Sequence, residues 1–214
     1  MASFNIAYKI SRSNEGGYAN DPRDTGGETY KGVSRVNNPT WAGWKIVDAY
    51  KAKHGAIKRN FVIPDPKLDQ LVLDLFKSNY WNKIKGDSIN SQNIANIMFD
   101  FALTSNHDKS AMNAQRALGI TADGIIGSDS IKAINNADEK TLAADILKRN
   151  LDYYTNLATG KKKDKYEWAF ESCKKRISYF TSIIDKIPGG TAGAGVGVFL
   201  LGVGLFFLAR KAFK

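Results

Sequence analysis

Residues 189–209 read GGTAGAGVGVFLLGVGLFFLA, twenty-one positions without a charge, followed by Arg210, Lys211 and Lys214. Such a stretch has few ways to fold. At about 1.5 Å per residue, a helix of this length covers about 30 Å, the depth of a bilayer's hydrocarbon core. The pattern predicts a C-terminal transmembrane helix, set off from the preceding chain by Pro188-Gly189-Gly190. Gly189, Gly193 and Gly197 recur at every fourth position, the small-residue spacing that lets membrane helices approach closely. Contact with a lipid bilayer through residues 189–209 and a homodimer through that glycine face are therefore expected.

The rest of the chain reads differently. Three of the 31 basic residues and none of the 21 acidic ones lie beyond Pro188, so +7 of the net +10 falls on residues 1–188. A basic surface of this kind favours polyanions: nucleic acid, anionic lipid or the acidic polymers of a bacterial envelope. Charge alone supports a nucleic-acid binder, and no specific nucleic acid is expected as a partner. The single Cys173 excludes an internal disulfide, and with His54 and His107 it makes no metal-ligand spacing. No metal or cofactor is expected. Residues 1–13 include Lys9 and Arg12 and lack the apolar core of a secretory signal.

Apolar spacing predicts mostly helices. Phe4, Ala7 and Tyr8 open a helix over 3–15 that Gly16-Gly17 stops, and residues 18–35, rich in Gly, Asn, Asp and Thr, suggest a small hairpin centred on Thr25-Gly26-Gly27. Asp65-Pro66 is a cap followed by a first-turn proline, heading a helix whose apolar face runs from Leu68 to Phe76. Further helices are expected over Ile94–Ala102, from Asp108 as cap to Leu118, from Ser128, from Asp138 to Tyr154, and over Tyr166–Ile184, with a basic loop at Lys161–Lys165. The predicted class is α+β, mainly α.

Glu15 carries the chemistry best. It is a carboxylate at the expected C-terminal end of a helix, where the helix dipole disfavours charge and raises the pKa towards that of a general acid. Asp21, Asp24 and Glu28 follow closely. Glycoside hydrolysis asks for such a set, one carboxyl that donates a proton and one carboxylate that activates water or stabilises an oxocarbenium-like sugar. Tyr18, Tyr30, Trp41, Trp44, Tyr80 and Trp81 could offer flat faces to sugar rings or simply fill the core, with Tyr18 and Tyr30 favoured for substrate. Cys173, on an apolar helix face, reads as core.

The run Glu15-Gly16-Gly17-Tyr18-Ala19-Asn20-Asp21-Pro22, with Gly26-Gly27-Glu28-Thr29 and Gly32-Val33 behind it, resembles the signature of glycoside hydrolase family 108, N-acetylmuramidases and phage endolysins that cleave peptidoglycan. Tyr80-Trp81 is similar to a pair in the same family. Gln115-Arg116-Ala117-Leu118-Gly119 and Asp123-Gly124-Ile125-Ile126-Gly127 resemble the core of the peptidoglycan-binding domain fused behind it. The run Leu103–His107 departs from the family's Asn-Ser-Gly-like pattern. The resemblance implies a lysozyme-like fold with Glu15 catalytic. The nine-residue step from Glu15 to Asp24 is similar to that of phage lysozymes, which puts Asp24 first as second carboxylate, ahead of Glu28 and Asp21, with Thr29 orienting a water. Substrate contacts would come from Tyr18, Tyr30, Asp21 and Trp81.

These readings combine into a lysozyme-like part over 1–90, a helical peptidoglycan-binding part over 91–186 packed on it, and a membrane segment over 187–214. The expected protein is a muramidase held by its tail in a host inner membrane or a virion's internal membrane, serving infection or lysis. A lytic transglycosylase and a non-catalytic, tail-anchored wall-binding protein are the alternatives.

Overall fold

A computed structural model of the chain describes residues 1–12, 16–20, 27–160 and 163–188, and no side chains over 163–169. It divides into two units, Tyr8–Asn82 and Met1–Ala7 together with the chain from Lys83, so that the boundary falls inside the first helix, α1 (Phe4–Arg12).

The Tyr8–Asn82 unit combines the end of α1 with a three-stranded antiparallel sheet and two helices. Strands β1 (Tyr18–Asn20), β2 (Glu28–Tyr30) and β3 (Val33–Ser34) lie in sequence order. The register pairs Tyr18 with Tyr30, Ala19 with Thr29 and Asn20 with Glu28, then Tyr30 with Val33 and Thr29 with Ser34. Because side chains alternate along a strand, Tyr18, Glu28, Tyr30 and Val33 share one face, and Ala19, Thr29 and Ser34 share the other. Tyr18, Tyr30 and Val33 are buried, whereas Ala19, Thr29 and Ser34 stay half-buried. The β2–β3 turn uses Lys31 at φ 44° and Gly32 at φ 76°, the pair of positive φ values that a tight right-twisted hairpin requires.

Helix α2 (Gly43–His54) follows, and α3 (Pro66–Phe76) begins as its sequence dictates, the Asp65 side chain accepting from the Leu68 amide with Pro66 in the first turn. After Phe76 the helix widens into a π turn over Lys77–Trp81, closed by the Asn82 amide donating to the Lys77 carbonyl at 2.8 Å. Beneath β2 the Tyr30 hydroxyl accepts from the Ile63 amide at 3.1 Å and faces the Ile63 carbonyl at 3.4 Å.

In the other unit, α4 (Gln92–Thr104) is buried on every side from Ile94 to Ala102, as a central helix must be. Around it stand α5 (His107–Ala117), α6 (Ser128–Asn136), α7 (Glu139–Thr159) and α8 (Lys163–Ile184). Asp138 caps α7 as its position predicts, but α5 is capped by Asn106, whose side chain accepts from the Lys109 amide, and not by Asp108. The basic run expected as a loop enters α8 at Lys163. Asp100, buried on α4, meets the Arg176 guanidinium of α8, and burial pushes the Tyr154 phenol and the Cys173 thiol up.

The QRALG and DGIIG motifs meet here. Gln115, 1% exposed, donates its amide to Asp123 Oδ1 at 2.7 Å and the Ile125 carbonyl at 3.0 Å, and accepts from the Gly124 amide at 2.9 Å. One buried side chain thus satisfies the polar groups of a whole turn, including Gly124 at φ 80°.

The transmembrane expectation is corrected. No helix among the described residues is long and apolar enough to cross a membrane. Helices α7 and α8, at 21 and 22 residues, have the length, but Lys148, Arg149 and Asp152 on α7 and Glu171, Lys174 and Lys175 on α8 keep them amphipathic. Residues 189–209, where the span was expected, lie outside the described residues. The fold class becomes mainly helical α+β with no spanning helix among the described residues, and the membrane localisation, the bilayer contact and the glycine-face homodimer lose their support with it.

Two outcomes test this description. Gln115→Leu keeps the volume but strands the buried Gly124 amide, so urea unfolding should show a loss of about 1–3 kcal/mol. For Tyr30, burial raises the phenol from 10.0 to about 12. Its contribution to stability is complete below pH 10 and is lost as pH rises towards 12, because the folded state holds the proton longer than the unfolded chain. Tyr30→Phe should cost about 1–2 kcal/mol at neutral pH through the orphaned Ile63 amide, and should flatten the alkaline fall in melting temperature.

Candidate active site

Of the carboxylates expected to do chemistry, Glu15, Asp21 and Asp24 lie outside the described residues, and Glu28 lies within them.

Upstream, Arg12 is the last described residue of α1, and its guanidinium donates to the Lys31 carbonyl at 3.1 Å and lies 4.5 Å over the Phe76 ring. A Cβ on Gly32 would run into that guanidinium. Downstream, the Tyr18 amide donates to the Phe61 carbonyl at 2.9 Å and the Asn60 amide to the Tyr18 carbonyl at 2.7 Å, so the 60–61 backbone runs against β1 like a further strand. Any side chain at Gly17 would strike the Phe61 carbonyl, and one at Gly16 would strike the Asn60 side chain. Glycine at 17 is therefore demanded by a backbone-to-backbone approach, whereas at 16 only the movable end of the Asn60 side chain stands in the way.

Glu28 sits in a different environment from the one a general acid needs. Its Oε1 accepts from the Tyr18 hydroxyl at 2.8 Å and from Lys51 Nζ at 2.7 Å, and its Oε2 pairs with Arg35 Nε at 2.7 Å. Arg35 also forks onto both oxygens of Asp48, at 2.7 and 3.1 Å, and covers the Trp44 ring at 4.4 Å. Lys51 reaches Asp48 at 3.0 Å. The Arg35 hydrogen bond holds the Asp48 carboxyl below the usual carboxylate range, and burial followed by the bond to Glu28 raises the Tyr18 phenol. Both oxygens of Glu28 are engaged by cations and a phenol, and its side chain is 12% exposed. Thr29, on the opposite face of β2, lies beside Ala19 and Ser34 and remains accessible.

The aromatic residues divide in the same way. Tyr18, Tyr30 and Trp81, expected to touch substrate, are 5%, 0% and 0% exposed and serve the core, because the sheet face and the π turn turn them inward. Trp44 is buried too, Tyr80 stacks on Phe76 at 5.9 Å, and Trp41 is half-buried. The sequence had named Trp41 among six rings, and only its surroundings separate it from the others. Among the described residues no cluster of His, Cys, Asp and Glu could hold a metal ion.

The family model described as "Glycosyl hydrolase 108" matches residues 9–105, and that of the "Predicted Peptidoglycan domain" matches residues 110–193. The solved structure of SagA from Brucella abortus is similar in fold, with a TM-score of 0.54 at 22% sequence identity over 83% of this chain and 94% of that one. Comparison with curated proteins returns no match. The first match contains Glu15, Asp24 and the whole sheet, and the second contains the Gln115–Asp123 turn. Residues 9–105 thus match the glycosyl hydrolase 108 family and residues 110–193 a peptidoglycan domain behind it, and the two matches together support a glycoside hydrolase acting on peptidoglycan.

Proposed function

We propose that the chain is an N-acetylmuramidase, cutting the β-1,4 bond between N-acetylmuramic acid and N-acetylglucosamine. Glu15 protonates the glycosidic oxygen, and Asp24 assists the attacking water or the positive charge that develops on the sugar. The observation that carries this reading is the state of Glu28. With both its oxygens taken by Arg35, Lys51 and Tyr18, it has none to offer a leaving group, so the acid falls to the carboxylate before the glycine pair. Thr29 supports the same division, since its hydroxyl stands on the half-open face of β2, away from the ion cluster, where it can orient a water. The net charge of +10 draws the protein to an anionic wall.

The expected outcome is read from turbidity of a peptidoglycan suspension. Glu15→Gln should lose about 10³-fold or more in clearing rate and Asp24→Asn about 10²-fold, the range in which a positioned acid or its partner contributes. Mass spectrometry of the parent's products should show reducing N-acetylmuramic acid ends. Anhydro ends would make the chain a lytic transglycosylase, and full clearing by Glu15→Gln would remove the assignment of the acid.

A further inference from the structure

In the Tyr8–Asn82 unit, the loop after β3 and the end of α3 enclose an open groove of about 450 Å³, a size within the range of roughly 300–1,000 Å³ typical of small-ligand sites. Asn37, Thr40, Trp41, Asp74, Ser78 and Asn79 line it. Trp41 is fixed on three sides. Its six-membered ring lies against Gly43, where any Cβ would collide with it, it crosses the Trp44 ring at 84° with 5.1 Å between ring centres, and its indole N–H donates to the Leu71 carbonyl at 3.3 Å. What is left of the ring forms part of the groove wall. Gln70 holds one oxygen of Asp74 at 2.8 Å, and the π turn over Lys77–Trp81 sends Ser78 and Asn79 outward while Trp81 goes to the core. Such turns recur at functional sites.

We infer that this groove is a glycan subsite, seating an N-acetylhexosamine ring of the wall polymer on the indole of Trp41; the inference rests on the chain acting on peptidoglycan. A pyranose has an apolar C–H face and a polar rim of hydroxyl and acetamido groups. A preset indole matches the first, and amide, hydroxyl and carboxylate groups around it match the second. The charge pattern selects the sugar. Of the groove's lining residues only Asp74 is ionisable, and none is Lys or Arg, in a chain with 31 of them. The stem peptide borne by a muramic acid residue would bring carboxylates to a wall without a cation, so the ring seated here is the uncharged N-acetylglucosamine type.

The test titrates the full chain with chitotetraose by calorimetry and follows sacculus clearing by the same variants. Trp41→Ala should weaken chitotetraose binding about ten-fold or more, a loss equivalent to about 1.4 kcal/mol, and raise KM for sacculi with kcat near that of the parent. Trp41 supports Trp44, so its variant can be lost to misfolding. The exposed pair Asn37→Ala with Asn79→Ala leaves that packing alone and should weaken binding about five-fold. Parent affinity in the double variant overturns the inference, as does a parent that does not bind chitotetraose, or variants that lose a free stem peptide in place of the sugar. If the parent leaves sacculi intact, the muramidase reading fails. If the parent clears them and the groove variants bind and clear as it does, only the subsite fails.

Discussion

The carboxylate of Glu28, held between Arg35, Lys51 and the Tyr18 hydroxyl, is the interaction on which the site-bearing unit depends. A carboxylate at 12% exposure is tolerated only when it is paired, because the cost of removing it from water must be offset by close cations and hydrogen bonds. The pairing ties β2 to α2 through Lys51 and, by way of Arg35, to Asp48. It thereby decides which face of a three-residue strand looks inward. Tyr18 and Tyr30 are consequently core residues and Thr29 is not.

A second constraint meets the first at β1. The 60–61 backbone hydrogen-bonds to Tyr18 from the side away from β2, which forces glycine at 17. Arg12 closes the remaining side by reaching from the end of α1 to the Lys31 carbonyl. Gly17 and Tyr18 of the motif therefore have architectural roles, the glycine through its close approach to Phe61 and the tyrosine through its burial. The same holds for Gln115, Asp123 and Gly124, whose conspicuous pattern builds a turn.

Much of this was legible locally. Asp65-Pro66 and Asp138 announce their helices because a cap acts within three residues, and the apolar stripe from Ala143 to Tyr154 is a matter of helical period. The role of Glu28 was not legible, since its cations stand 7 and 23 positions away in sequence and nothing in ETY distinguishes a fastened carboxylate from a catalytic one. Nor could composition say which aromatic rings face outward: Tyr18 and Tyr30 lie in a polar stretch yet are buried, while Trp41 is kept at a groove by its contact with Gly43. The third strand was missed because β3 is two residues long and rests on the Lys31-Gly32 turn. Asn106 displaced Asp108 as a cap by two positions, a difference that both side chains' chemistry permits.

The most direct test of the account is the specific activity of Glu28→Gln per folded molecule, with clearing of sacculi measured well below the variant's melting temperature alongside its stability in urea. Glutamine keeps the shape but removes one of the two carboxylates that Arg35 and Lys51 share, leaving Asp48, so stability should fall by about 1–3 kcal/mol while the folded fraction clears at close to the parent rate. A variant that unfolds like the parent and yet has lost clearing would contradict the account, because Glu28 would then be part of the chemistry and not of the frame that holds it.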